Sequence, residues 1–428
     1  MFFLLLSLVA IPATFFAAKY LVMLINPHYH AGADDNATAA SSKPRILIVT
    51  PETRWFGGAE SHIIQHYRQL TRNNYHVAIL AHHGTQLCEQ FIKEHIPFYS
   101  THAGFFRQRS FRINVVYHLI MARCLRIVCK KENITIIHCN NCYEAPDVGT
   151  VAKQLGIKSV FTRHMVHAFR TQRIKSFDAA IVVSPYSVDY VSQENITKHL
   201  SLGTVTWIPP FHNAQKFLSY QPTEARHAFY KQHFAIDLLD MPTACMIANF
   251  YDDFDHKNHP LLFKTIATLV HEQHKPIQVM LAGNCEGAMK KIITDMIEAY
   301  DIGDYVHLLG YTKQIPGILY HSDMMVLSSK VETFAVVYFE AGMMKKPSIG
   351  ADQTGADFVI LHEKTGLLFR NNDVESFASA IAQLIDNPEL SRQMGLNAYE
   401  HIMANYSPEA TFAKHAALYA TLSVPRQP

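Results

Sequence analysis

Short apolar runs alternate with stretches of helical spacing along most of this chain. Arg45–Thr50, His76–Leu80, Ile134–His138, Ser159–Thr162 and Ala179–Val183 are continuous runs, separated by segments whose apolar residues recur three and four positions apart. Continuous runs, unlike runs of strict polar alternation, read as strands covered on both faces. Strand alternating with helix predicts a parallel sheet. The pattern restarts with Thr243–Ala248, Ile277–Ala282, Tyr305–Leu308, Met324–Leu327 and Pro347–Gly350. The expected architecture is therefore α/β, with two Rossmann-like domains facing a central cleft: an N-terminal domain over 44–212 and a C-terminal domain over 213–404. A terminal helix within 405–428 is expected to return towards the first domain. In open sheets of this kind, ligands bind beyond the carboxyl ends of the strands, which places the function there.

Residues 1–26 are almost wholly apolar, interrupted by Pro12 and Lys19. About 20 residues suffice to cross a bilayer, and no positive charge precedes the core as it does in a secretory signal. An uncleaved, single-pass membrane anchor is expected, followed by a flexible linker over the small, polar residues 27–43.

Composition narrows the classes. At 428 residues, 49% apolar and 17% charged, the chain is too apolar for disorder, and seven cysteines do not make a disulfide scaffold. A formal charge of +2 gives no global field for nucleic acid, so no nucleic-acid partner is expected. That total conceals a basic first half and an acidic second half, which points to a negatively charged partner for the first half alone. Cys139 with Cys142, and His256 with His259, have metal-like spacing but lack completing ligands, so no metal is expected.

The strongest local signal is Val331–Glu340, VETFAVVYFE, which follows the apolar run Met324–Leu327 and opens a helix. Unpaired amides around Phe334, Val336 and Val337 offer an anion site, with the carboxylates of Glu332 and Glu340 placed to accept hydrogen bonds from hydroxyls.

With Ser328, Ala341, Pro347–Ile349 and Thr365-Gly366 following in order, this segment resembles the donor-binding core of glycosyltransferase family 4, retaining enzymes of the GT-B fold. The resemblance extends from about Arg45 to Tyr419. It implies a glycosyltransferase that takes a sugar from a nucleotide diphosphate sugar, without a cofactor, to a lipid-linked or envelope-glycan acceptor. Glu332 would contact the transferred sugar, Glu340 the ribose, and Lys257 the diphosphate, whose charge grows as it departs. Asn249 stands where the family usually has arginine; it can bond a phosphate without neutralising it. Gly57 and Gly58 match the family's glycine-rich loop, and His164 its cleft histidine, a catalytic candidate beside the donor. Arg107, Arg109, Arg112, Arg123 and Arg126, with Phe105, Phe106 and Phe111, form a basic, aromatic stretch suited to an anionic membrane or lipid-linked acceptor. Since nucleotide sugars are made in the cytosol, the catalytic domains are expected on that side of the membrane. The rival expectations are a catalytically silent, membrane-tethered glycan-binding protein and a GT-B-fold nucleotide-sugar epimerase.

Overall fold

The computed structural model describes residues 25–32, 42–50, 58–102, 111–140, 145–164, 176–185, 205–250, 256–332 and 334–424. The chain divides into two compact units, one of Met1–His212 with Thr411–Pro428 and the other of Asn213–Ala410.

The first unit is built on strands β1 (His28–His30), β2 (Arg45–Val49), β3 (His76–His82), β4 (Phe98–Thr101), β5 (Ile136–Asn140), β6 (Lys158–Arg163), β7 (Ala179–Val182) and β8 (Val205–Trp207). They form one sheet in the order β1-β4-β3-β2-β5-β6-β7-β8. Every pair is parallel except β1 with β4. Helices α1 (Gly58–Arg72), α2 (Gln86–Lys93), α3 (Phe111–Lys131) and α4 (Ala145–Leu155) connect the strands.

Alternation along each strand divides the core between the faces of the sheet. Ile46, Ile48, Ile136, Val160 and Ile181 pack with Ile63, Ile64 and Leu70 of α1. Leu47, Val49, Ile137 and Phe161 pack with Tyr117, Met121, Leu125 and Val128 of α3 and Val148 and Val151 of α4. The last helix of the chain, Pro408–Ser423, inserts Leu418, Tyr419 and Leu422 into the first of these cores. Burying such side chains is worth roughly 1.5–3 kcal/mol each, which ties the C-terminus to the first unit.

The expected flexible linker needs correction. His28–His30 pairs antiparallel with β4, opposite Phe98, Tyr99 and Ser100. The reason is aromatic: the Tyr29 ring lies 4.9 Å from that of Tyr99 and His30 stacks on Phe98 at 4.4 Å. Immediately before this strand, Arg123 donates to the Asn26 side chain at 3.1 Å, and Ile25 packs against the α3 core. The apolar residues expected to form the anchor lie, up to residue 24, outside the described residues. Among the described residues, no helix is long and apolar enough to cross a membrane.

The second unit carries strands β9 (Thr243–Ile247), β10 (Gln278–Ala282), β11 (Val306–Gly310), β12 (Met324–Leu327), β13 (Ser348–Ala351) and β14 (Gly366–Phe369). The sheet order is β11-β10-β9-β12-β13-β14, parallel throughout. Strand β14 extends the sheet beyond the runs read from the sequence. Gly366 opens it because a Cβ there would lie 2.1 Å from the Ser348 carbonyl oxygen, while Thr365 Oγ1 accepts from the Leu361 amide at 2.8 Å. The Thr-Gly pair is thus a packing requirement of the sheet edge. Short helices α5 (Ala214–Leu218) and α6 (Arg226–Phe234) precede the sheet. Helices α7 (His259–Ala267), α8 (Gly287–Ala299), α9 (Ile315–His321), α10 (Val336–Met343), α11 (Val374–Asp386) and α12 (Pro388–Asn405) cover it.

Candidate functional site

The charged residues expected to hold a donor meet at the carboxyl ends of β9 and β12, which are neighbours in the second sheet. Two bonds tie the chain after β9 to the chain after β12. Ser328 Oγ donates to the Lys257 carbonyl at 2.8 Å, and the Lys330 amide donates to the His256 carbonyl at 3.0 Å. As a result the Lys257 ammonium is ion-paired with Glu332 Oε1. Ser329 Oγ donates to the same oxygen at 2.9 Å, and the Glu332 carbonyl accepts from Gly355 at 2.9 Å. The pair is mostly buried: 23% of the Lys257 side chain and 10% of the Glu332 side chain is exposed. A charge-assisted bond in such surroundings is strong, yet each partner keeps hydrogen-bonding capacity for a ligand.

Helix α10 begins at Val336, and Ala335 at its cap position supplies no side-chain hydrogen bond. The Tyr338 amide donates to the Ala335 carbonyl at 3.1 Å, so the amides that could meet an external acceptor are those before it, at Val336 and Val337, with the positive end of the helix behind them. Phe334 and Val337 are buried and Val336 is half-buried, so their side chains pack and only their backbone can serve a donor. Glu340 lies one turn further on, partly exposed. Burial pushes its carboxyl up to about 7, offset in part by Lys216 on α5. Asn249 is exposed, and its Oδ1 accepts from the Asn284 amide at 3.0 Å, linking the segments that follow the neighbouring parallel strands β9 and β10. Only its NH₂ is left to meet a phosphate.

In the first unit, His164 follows β6 and sits beside four other histidines. Its ring lies 4.8 Å from that of His62, and His66 continues the layer with its ring 4.9 Å from His138 and 4.7 Å from His415. Tyr419 Oη is 2.5 Å from His138 Nδ1 and 3.0 Å from His66 Nε2, while His138 Nε2 is 2.5 Å from Thr162 Oγ1. His62 Nδ1 accepts from the Phe211 amide at 2.8 Å, which leaves the proton of the neutral ring on Nε2. His415 Nδ1 donates to the Thr411 carbonyl at 3.0 Å. Burial holds all five rings below the ordinary histidine range, His164 and His415 down to about 4, so the layer is neutral at pH 7. Among the described residues, no group of three potential ligands is placed to hold a metal ion.

Sequence reasoning missed the partners of His164. Two signals carried them: 26 histidines in the chain, and the spacing of His62 and His66 by one helical turn. Ser329 was also missed, because a lone serine beside an acidic residue has no signature.

The remaining expectations fare unevenly. Gly58 is the first residue of α1, and a Cβ there would meet nothing within 4 Å, so internal packing does not demand glycine. Gly57, Arg107 and Arg109 lie outside the described residues, and Arg112 is described only as a backbone position in α3. Arg123 is engaged by Asn26, and Arg126 donates to Gln154 Oε1 at 2.6 Å. Val115, Val116 and Leu119 of α3 are exposed, so this helix does present apolar surface. A cavity of about 690 Å³ lies elsewhere in the first unit, near the amino ends of the strands. Two of its charged pairs are internal, Arg68 with Glu94 at 2.8 Å and Glu132 with His76 at 2.9 Å, and it is lined by none of the candidate site residues.

Comparison with known proteins places these geometries in context. Residues 56–211 match the family described as Glycosyltransferase Family 4, and residues 240–401 match that of glycosyl transferases group 1. The poly(ribitol-phosphate) alpha-N-acetylglucosaminyltransferase of Staphylococcus aureus is 30% identical over 155 residues, 36% of this chain and 31% of that protein. The chain spans between about a third and a half of the length of the first curated relatives it matches. Among solved structures, a glycosyltransferase from Rickettsia africae aligns with a TM-score of 0.77 and 19% identity, over 89% of this chain and 99% of that one. Anabaena HepE in complex with UDP aligns with a TM-score of 0.72 and 16% identity, over 88% and 100%. These likenesses establish a GT-B fold with two parallel-sheet domains, of which β1 is the antiparallel exception.

Proposed function

We propose that the chain, whose two halves match the models of Glycosyltransferase Family 4 and of glycosyl transferases group 1, is a family 4 enzyme that transfers a sugar, with retention at the anomeric carbon, from a uridine diphosphate sugar to a glycan or lipid-linked acceptor. The observation that carries this reading is the buried Lys257–Glu332 pair, bonded by Ser329, beside the uncapped start of α10. A cation and a set of helix amides suit a departing diphosphate, because they are fixed before its charge develops and need no reorganisation. On donor binding, Lys257 would turn from Glu332 to the phosphates, and the released carboxylate would accept hydrogen bonds from the sugar. Glu340 would take the ribose diol. The acceptor hydroxyl would then attack on the face the diphosphate leaves, passing its proton to the leaving phosphate, with His164 as a neutral hydrogen-bonding group. UDP follows from the likeness to HepE bound to UDP, and a glycan acceptor from the named activity of the Staphylococcus relative.

Residues 1–26 would hold the enzyme at the membrane as a single-pass anchor. The exposed face of α3, with Val115, Val116, Leu119 and the neighbouring arginines, would then lie towards the lipid.

A panel of UDP-sugars tests the reading through release of UDP from the purified full chain. Lys257→Ala and Glu332→Gln should each lower turnover by about 10²–10³-fold, the usual effect of removing one preorganised charge-stabilising group. Binding of UDP without turnover of any sugar would instead favour a silent glycan-binding protein. The use of the Asn249 oxygen within the chain is the observation on that side.

A further inference from the structure

The cavity of about 690 Å³ in the first unit has no part in the reaction proposed above. It lies at the amino ends of β3 and β4, the opposite end of the parallel sheet from His164. A space of this size holds a ring-sized organic molecule and far exceeds an inorganic ion. Its walls come from both faces of the sheet. Tyr67, Arg68 and Arg72 stand on the last turns of α1. From the other face come Tyr99 of β4 and Tyr29 of β1, with their rings 4.9 Å apart. Tyr29 is 44% exposed and Tyr67 half-buried, so both keep ring area open to a ligand.

The charges around this space do not balance. Its carboxylates are engaged: Glu94 with Arg68, and Glu132 with His76 and with the Tyr99 hydroxyl at 2.5 Å. The bond from His76 and that from Tyr99 hold the Glu132 carboxyl down at about 2, against its burial. The cations exceed them. Arg72 is exposed, and its side chain has no partner among the described residues. The Lys131 ammonium lies 5.2 Å from the Tyr29 ring and 5.1 Å from the Tyr99 ring, and is ion-paired with no carboxylate among the described residues. Arg68 and Arg72 are four residues apart, hence on one face of α1, and the Arg68 side chain is still 37% exposed. Here the basic excess of the first half of the chain meets a space open to a ligand.

An anion that binds here must compete with Glu94 for Arg68. A carboxylate gains little by replacing another carboxylate. A phosphate monoester brings about −1.5 to −2 charges and three strong acceptor oxygens, enough to engage two guanidinium forks together. The remaining space, beside tyrosine rings, favours an apolar or aromatic group.

We propose that this cavity binds a phosphate monoester with an apolar or aromatic organic part, the phosphate held by Arg68 and Arg72 and the organic part lying against Tyr29 and Tyr67. The site does not depend on the transferase reading.

Calorimetric titration of the full chain at low salt tests it, with phenyl phosphate, inorganic phosphate, benzoate and monomeric dihexanoyl phosphatidic acid as probes. Phenyl phosphate should bind at least tenfold more tightly than inorganic phosphate or benzoate. Tighter binding of the phosphatidic acid than of phenyl phosphate would identify a lipid as the source of the phosphate, and the reverse order a soluble ester. Arg72→Ala should weaken phenyl phosphate at least tenfold with Tm unchanged, because that side chain has no partner to lose. Lys131→Ala should act in the same direction with a smaller effect. Lys257→Ala should leave this binding unaltered, since it belongs to the other unit. The proposal is overturned if phenyl phosphate does not bind, if it binds no better than inorganic phosphate, or if Arg72→Ala binds it as well as the unmodified chain. Loss of binding in Lys257→Ala would also overturn it, by assigning the phosphate to the donor pair. UDP binding to the same preparation is read separately, so failure of the donor reading and failure of this site are distinguishable.

Discussion

The polar groups at the strand ends of the two units are kept in opposite states. In the second unit, Lys257, Glu332 and Ser329 are bonded to one another. In the first, Thr50, Asn140, His164 and Ser184 leave buried atoms without partners among the described residues, and the neighbouring histidine layer is held neutral by burial. Paired charges can be buried at a tolerable cost and re-paired to an incoming phosphate, which suits a ligand that brings charge. Unpaired neutral groups instead leave a desolvation cost that the fold does not recover. The two sheet ends thus differ electrostatically, ion-paired in the second unit and neutral in the first.

The pH dependence of stability breaks or sharpens this contrast most strongly. His62, His66, His138, His164 and His415 have folded-state pKa values below the ordinary 6.5. The unfolded chain therefore takes up protons first as pH falls. The stability these neutral rings represent is fully present above pH 6.5 and is lost as pH drops from 6.5 towards about 4. The groups facing them from α1, β5, β6 and the last helix are the other histidines, with Tyr419 and Lys414, so no carboxylate among the causes of these shifts offsets the loss. At pH 5.5 each ring should cost about 1 kcal/mol, several in total. Urea midpoints at pH 7.5 and 5.5 measure it; a first unit equally stable at both would contradict the neutral layer.

On the donor side a smaller and opposite use of a raised pKa is expected. Glu340 titrates near 7, through burial. Ribose hydroxyls bond best to its ionised form, so UDP affinity should fall about tenfold between pH 8 and pH 6, and Glu340→Gln should flatten that dependence. Calorimetric titration with UDP at the two values decides it.

The smallest expected effect concerns the last helix. Tyr419→Phe removes only the hydroxyl shared by His138 and His66 and should cost about 1–2 kcal/mol by urea unfolding, with UDP affinity unchanged because the second unit does not include it. An unaltered midpoint would mean that the hydroxyl holds nothing in place.

Much of the second unit could be read from the chain because its signals are local. The Glu332–Glu340 spacing lies on one strand–loop–helix unit, and Lys257 stands ten residues after the end of β9. Periodicity likewise determined the two parallel sheets, since a strand buried on both faces must be apolar throughout. The amino acid at position 249 likewise announced a departure whose consequence, an oxygen spent on the Asn284 amide, needed the neighbouring strand to appear.

Other features were decided only in three dimensions. His28–His30 contains no strand-length apolar run and becomes a strand because Tyr99 and Phe98 on β4 lie beside it. The histidine layer draws on residues 62, 66, 138, 164 and 415, which no local pattern connects; the parallel crossovers and the returning C-terminal helix bring them together. Whether a polar side chain has a partner depends on what the rest of the chain places beside it. Nothing in the sequence singled out Asn140, and only the fold shows its buried amide without a partner among the described residues.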